Sequence, residues 1–145
     1  MVSPQGFLLY RIYYGDIIAY LGRTKQPLQA RIRGHVFQKP MHKLILIQNV
    51  SKIEYTELQT EADMNLYEIY YINLWKPPLN VDDKARDELS ISLPELEWKE
   101  FVPANWDDWK RQLENNREMP VWNRLRNEKL EELLRIGGMP SGKAC

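Results

Sequence analysis

The segment that decides the fold is residues 7–22, FLLYRIYYGDIIAYLG. Its first part, Phe7–Tyr14, is rich in aromatic and β-branched side chains, which favour extended strands. The pair Gly15-Asp16 interrupts this run, and the apolar pattern resumes over Ile17–Gly22. Two such runs separated by two turn-forming residues predict a β-hairpin, with its two strands antiparallel and side by side.

The rest of the chain predicts helices that pack against this hairpin and one further strand. In chain order we expect a helix from Pro27 to about Gln38 stopped by Pro40, a short amphipathic helix at His42–Gln48, a strand at Ser51–Leu58, a helix from Glu61 to about Trp75 capped by Thr60, a strand within residues 96–102, and helices at Trp106–Asn116 and Val121–Ile136. The predicted fold class is therefore α/β, an α+β sandwich. It has a small, three-stranded, mostly antiparallel sheet flanked by helices, and a C-terminal helical appendage.

We divide the chain into a domain over residues 1–82 and an acidic, mainly helical extension over residues 83–145, whose role the sequence does not indicate. The charged stretch 81–88, VDDKARDE, is typical of a solvated linker.

Composition places the chain among ordinary globular proteins. Of its 145 residues 43% are hydrophobic, which is enough for a core and too much for disorder. No apolar run reaches the length of a membrane span, and no basic segment precedes a long apolar one near the N-terminus. The sole cysteine is Cys145, which excludes disulfides within the chain and cysteine-based zinc sites. We expect an intracellular protein without a membrane partner.

The net charge is zero, but the charges are segregated. Residues 1–53 hold eight Lys or Arg and a single acid, Asp16, so the acidic excess lies in the remaining residues. Such an asymmetry predicts a positive face for an anionic partner. The alternative is that these cations only cover a solvated face.

Glu68 is the only charged residue between Met64 and Trp75. Apolar residues point in nearly every direction around this predicted helix, which is typical of a buried helix. A carboxylate in such surroundings needs a partner, either a metal ion or an arginine. The alternative is that Glu68 reaches solvent at the rim of the helix.

Three further groups are candidates for chemistry. Tyr10 and Tyr20 lie on the two hairpin strands and can be neighbours, although cross-strand packing alone would explain them. Arg31 and His35 are four residues apart and share a helix face, as a simple surface pair would. The glycine of the sequence Gly22-Arg23-Thr24-Lys25 could hold a phosphate, but a single glycine is weak evidence.

Taken together, these residues resemble the GIY-YIG nuclease family, as found in homing endonucleases and in the excision-repair incision subunit. The resemblance spans about residues 6–82 and is carried by Tyr10, Tyr20-Leu21-Gly22, Arg31, His35, Glu68 and Asn80. The first motif departs from the family, because Leu8-Leu9-Tyr10 stands where Gly-Ile-Tyr is expected. Tyr13 competes with Tyr10 for the first tyrosine, and the ten-residue separation from Tyr20 favours Tyr10.

The resemblance implies a DNA endonuclease that hydrolyses phosphodiester bonds with a divalent metal, Mg²⁺ or Mn²⁺, in a protein of bacterial or phage origin. It implies that Glu68 binds the metal, that Tyr10 is the general base and that Arg31 clamps the phosphate. Tyr20 would contact the water or phosphate, His35 would assist proton transfer, and Asn80 would hold a Tyr or Glu side chain in place. Residues expected to bind the substrate are Gly22, Arg23, Lys25 and Arg33.

Two other functions stay open at this point. The first is a catalytically degenerate member of the family that binds nucleic acid without cutting it. The second is a protein-interaction domain whose basic half binds an acidic partner. For the extension we expect either packing on the nuclease core or a homodimer formed through the C-terminal helices.

Overall fold

The computed structural model describes residues 3–38, 45–80 and 89–114. The predicted hairpin is present as strands β1, Phe7–Tyr14, and β2, Ile17–Thr24. They pair antiparallel, with Tyr10 opposite Gly22 and Ile12 opposite Tyr20. Gly15 adopts a left-handed φ of 62° at the turn, a conformation that glycine enters without steric cost.

The hairpin belongs to a four-stranded antiparallel sheet in the order β2-β1-β3-β4. Strand β3 is Val50–Leu58, and strand β4 consists of Lys99–Glu100 only. The α+β class is confirmed. The sheet has one strand more than the three expected, because part of the predicted segment 96–102 pairs with β3.

Within the described ranges, three α-helices flank the sheet: α1 at Leu28–Phe37, α2 at Glu61–Trp75 and α3 at Trp106–Glu114. The hydroxyl oxygen of Thr60 accepts a hydrogen bond of 3.0 Å from the backbone N–H of Asp63, so the predicted cap of α2 is confirmed. Among the described residues the expected helix 42–48 is reduced to a single 3₁₀ turn, Ile47–Asn49.

Several expectations lie outside the described residues. They are the stop at Pro40, the start of the short helix at 42–44, the linker 81–88, the last two residues of the helix expected at 106–116, and the helix 121–136.

The core lies on both faces of the sheet. On one face α1 and α3 cover buried side chains of the central strands, and Trp109 and Leu113 of α3 are part of this layer. On the other face α2 packs over Leu9 and Leu21, with the segment 89–98 beside it. Residues on either side of position 82 therefore contribute to both layers, and the division into two domains stays a prediction.

The expectation that α2 is buried on every side is wrong. Leu66, Ile69 and Leu74 are 49%, 59% and 40% exposed, while Met64 and Tyr70–Ile72 face the sheet. A helix that lies on one face of a sheet buries one stripe only, so apolar residues on its outer side stay in contact with water. Within the described ranges, none of the helices has the length and apolar character needed to cross a membrane.

Arg11 makes several contacts within the layer that contains α2. Its guanidinium contacts the Glu54 carboxylate at 2.7 Å, and both side chains are only 15% exposed. The same guanidinium lies 4.2 Å from the ring centroid of Trp98 and 5.2 Å from that of Trp75. The ion pair joins β1 to β3, and the cation–π contact with Trp98 attaches the segment that precedes β4 to the sheet.

Candidate active site

The hairpin brings the two predicted tyrosines together. The ring centroids of Tyr10 and Tyr20 are 6.1 Å apart, with Tyr10 fully buried and Tyr20 partly exposed. Gly22 makes this possible, since it lies opposite Tyr10 in the sheet and leaves room for both rings. A Cβ at position 22 would come within 2.5 Å of the Tyr10 hydroxyl and 2.8 Å of the Tyr20 ring.

Helix α1 adds Arg31 and His35 to the same place. Burial of Leu28, Ile32 and Val36 fixes the inner side of this helix against the sheet. One turn apart on that side, Arg31 donates a hydrogen bond from Nε to the Tyr10 hydroxyl at 3.0 Å, and His35 Nε2 lies 2.5 Å from the same oxygen. The His35 ring also meets the Tyr20 ring edge-on at 5.0 Å.

The Tyr10 phenol is held in its protonated form. Burial raises the pKa of Tyr10 far above its usual range, and nearby Tyr20 adds to this, while Arg31 acts in the opposite direction. Burial therefore outweighs the positive charge of Arg31, which by itself would lower the pKa of Tyr10. The Tyr10 hydroxyl thus accepts a hydrogen bond from Arg31 and lies in hydrogen-bonding contact with His35 Nε2.

Arg31 links the phenols to the predicted metal ligand. Partial burial by itself would lower the pKa of Arg31, but Tyr10, Tyr20 and the charge of Glu68 outweigh this, and its pKa is raised above the usual value. Glu68, carried by α2, thus lies close enough to the guanidinium to act on it electrostatically. The candidate centre, formed by Tyr10, Tyr20, Arg31, His35 and Glu68, therefore takes its side chains from β1, β2, α1 and α2.

Glu68 also pairs with Arg23 of the edge strand β2. The distance from Arg23 Nε to Glu68 Oε1 is 3.3 Å, and a second guanidinium nitrogen donates to the side-chain oxygen of Asn65. At the start of α2, one turn before Asn65, Glu61 Oε2 lies 3.0 Å from Lys25 Nζ. Two of the three cations expected to bind substrate, Arg23 and Lys25, therefore contact polar groups of α2.

Sequence reasoning missed two residues of this contact, Glu61 and Asn65. Their positions in the sequence could have identified them, because residues 61, 65 and 68 are spaced so that they lie on one face of a helix.

Asn80 is buried, with 4% exposure, and bonds the backbone of β2. Its side-chain oxygen accepts from Leu21 N–H at 2.9 Å, and its side-chain nitrogen donates to Leu21 C=O at 2.8 Å. Leu21 lies between Tyr20 and Gly22 in the chain, so this clamp fixes the strand that carries them. The residue expected to hold a Tyr or Glu side chain holds the main chain instead.

Two candidates lie apart from the centre. Arg33 is exposed and its guanidinium lies 5.2 Å from the Phe37 ring centroid, on the outer side of α1. The ring of Tyr13 packs against Lys52 at 4.5 Å and near Arg11. Of the two competing tyrosines, Tyr10 is the one that lies next to Tyr20.

Among residues 3–38, 45–80 and 89–114, the candidate site offers a divalent cation one carboxylate, that of Glu68. Glu68 is 20% exposed and accessible from solvent, and the described ranges contain no cluster of three or more His, Cys, Asp or Glu able to enclose a metal. Mg²⁺ is commonly held by one or two carboxylates together with waters and substrate phosphates. The residues present fit such a cation, bound jointly with a phosphate, and do not fit a closed structural metal site.

Comparison with known proteins finds a relative that matches part of the chain. The chain is similar to UvrABC system protein C of Vibrio parahaemolyticus, with 33% identity over 91 residues. The match covers 58% of this chain and only 15% of that protein's length. No family model matches the chain. Nor does any solved structure give a significant match.

Proposed function

We propose that this protein is a DNA endonuclease of the GIY-YIG type, which hydrolyses phosphodiester bonds with Mg²⁺ or Mn²⁺. The observation that carries the proposal is the contact of Tyr10, Tyr20, Arg31 and His35 at one place, with Glu68 electrostatically coupled to Arg31. The similarity to UvrABC system protein C supports it, since the excision-repair incision subunit belongs to the family that the motifs resemble.

Arg31 is the phosphate ligand in this proposal. Its bond to Tyr10 uses Nε, and the guanidinium has two terminal nitrogens with which to hold phosphate oxygens. The fixed bond to Tyr10 orients the planar fork before substrate arrives, which spares the entropy of ordering it during the reaction.

The two phenols have different roles. Activation of the attacking water requires a group that meets solvent, and Tyr10 is fully buried and bonded to both Arg31 and His35. The partial exposure of Tyr20 supports assigning the contact with water to this residue, and Tyr10 then positions Arg31 and His35. A divalent cation at Glu68 would supply positive charge to the phosphate and to the leaving oxygen.

A degenerate module that binds DNA without cutting it is the second candidate. It is favoured by Leu8, which replaces the glycine of the first motif and is fully buried on the same side of β1 as Tyr10. The expected homodimer through the C-terminal helices stays a prediction, and α3 buries Trp109 and Leu113 in its own chain.

Incubation with supercoiled plasmid separates the two candidates. The wild type should convert plasmid to nicked or linear forms with Mg²⁺ and leave it intact with EDTA. Glu68→Gln should abolish cutting, while Asp63→Asn, the same exchange at an exposed position of the same helix, should retain it. Plasmid retarded on a gel but uncut by the wild type would refute the nuclease and favour the degenerate module.

A further inference from the structure

We infer that Arg23 is an exchangeable counter-ion of Glu68, displaced when a divalent cation and a DNA phosphate bind, so that metal binding and DNA binding are coupled through this ion pair. The inference rests on the proposed function, since it concerns how the same centre takes up its two ligands.

The geometry places Arg23 across the predicted metal ligand. One guanidinium spans Glu68 and Asn65, which are three residues apart on α2 and lie on the same helix face. A guanidinium nitrogen at 3.3 Å from Oε1 occupies one side of the carboxylate. A divalent cation that binds this oxygen must therefore compete with a positive charge already in contact with it.

The ion pair between Arg23 and Glu68 can be broken easily. The Arg23 side chain is 47% exposed, so the guanidinium can leave Glu68 without uncovering the core. An exposed ion pair contributes little free energy, which makes exchange for stronger ligands easy. Arg23 also lies on the edge strand β2, directly after Gly22, so its guanidinium can move at the rim of the sheet without breaking a central strand.

Exchange makes the two ligands cooperative. A phosphate that attracts Arg23 removes the competitor of the metal, and a metal on Glu68 releases Arg23 for the phosphate. By linkage, each ligand must raise the affinity of the other by the same factor. The device would keep the centre poorly loaded with metal until DNA is present.

Lys25 provides the matched control. It forms the same kind of pair with Glu61, also between β2 and α2. Glu61 lies seven residues from Glu68, which is about 10 Å along the helix and comparable with the screening length at physiological salt. Removal of Lys25 therefore changes the net charge equally but leaves the Glu68 pair intact.

The first experiment measures Mn²⁺ binding to the protein alone, from the electron paramagnetic resonance signal of free Mn²⁺ at constant ionic strength. Arg23→Gln should bind Mn²⁺ about threefold to fivefold more tightly than the wild type, the range expected for loss of an exposed competing pair. Lys25→Gln should stay close to the wild type, and Glu68→Gln should lose the site.

The inference is overturned if Arg23→Gln leaves the affinity unchanged, if Lys25→Gln tightens it equally, or if Mn²⁺ binding survives Glu68→Gln. Failure of the proposed function is seen separately. If the wild type cuts plasmid with Mn²⁺ and Glu68→Gln does not, while Arg23→Gln fails to tighten Mn²⁺ binding, only the counter-ion role is lost. If the wild type does not cut plasmid, both the proposed nuclease function and the counter-ion role of Arg23 are refuted.

A reciprocal experiment measures binding of a labelled duplex by fluorescence anisotropy in EDTA. Glu68→Gln should tighten DNA binding severalfold by releasing Arg23, and the same change made in an Arg23→Gln background should have a smaller effect. Equal effects in both backgrounds would show that Glu68 acts only through its charge on the DNA, and would contradict the exchange.

Discussion

Gly22→Ala tests whether the glycine between the two phenols is required for space. The added methyl would lie 2.5 Å from the Tyr10 hydroxyl oxygen, 2.6 Å from its ring and 2.8 Å from the Tyr20 ring. To reach ordinary contact the Tyr10 ring must move by about 1 Å, while Arg31 and His35 hold its oxygen at 3.0 and 2.5 Å. Overpacking a core in this way costs about 1–3 kcal/mol, and weakening a buried hydroxyl's bonds adds to it.

We expect Gly22→Ala to lower the free energy of unfolding by about 2–3 kcal/mol in urea denaturation, and to reduce plasmid cleavage by at least tenfold through displacement of Arg31. Gly34→Ala is the control, because a Cβ there meets only the end of the Gln38 side chain, at 3.9 Å. In the middle of α1 this exchange should raise stability by about 0.5–1 kcal/mol. Equal stabilities of Gly22→Ala and the wild type would refute the packing explanation.

Three other changes test separate parts of the structure. Asn80→Ala should lower the free energy of unfolding by about 2–3 kcal/mol in urea denaturation, because the buried N–H and C=O of Leu21 both lose their hydrogen-bond partner. A loss under 0.5 kcal/mol would show that Asn80 does not clamp this strand. Tyr10→Phe should flatten the fall in stability above pH 10. In the unfolded chain this tyrosine ionises near pH 10, so above that pH the wild type loses up to about 1.4 kcal/mol per pH unit from it. Identical slopes in denaturation series at pH 10–12 would contradict the raised pKa. Arg11→Met should lower the free energy of unfolding by about 1–3 kcal/mol, because the largely buried Glu54 carboxylate would lose its guanidinium partner. Arg11→Met combined with Glu54→Gln should recover part of that loss, and simple additivity would argue against the pair.

The local elements were readable from sequence because each has its own signal. The break at Gly15-Asp16 defined the hairpin, and the Thr60 cap marked the start of α2. Alternation along a strand also separates the two candidate tyrosines. Positions 10 and 13 differ by three, so their side chains leave opposite faces of β1, and only one of them can meet Tyr20.

What the sequence could not predict depends on long-range contacts. The direction in which α2 faces the sheet was hidden, since apolar residues on every side of a helix carry no orientation. The raised pKa of Tyr10 depends on its burial in the fold, and the positive charges of residues 1–53 do not reveal that burial. Likewise Asn80 was identified as a site residue by resemblance, but its bond to a backbone fifty-nine residues away appears only in the fold.

The most direct test of the central claim is a double-mutant cycle on cleavage rate under single-turnover conditions. Tyr20 on β2 and Glu68 on α2 belong to different elements, and they should act as one unit if they form a single hydrolytic centre. Tyr20→Phe and Glu68→Gln should each slow cleavage by about 100-fold or more, and the double variant should be about as slow as the slower single variant. Either single variant cutting at close to the wild-type rate, or losses that multiply in the double variant, would contradict the account.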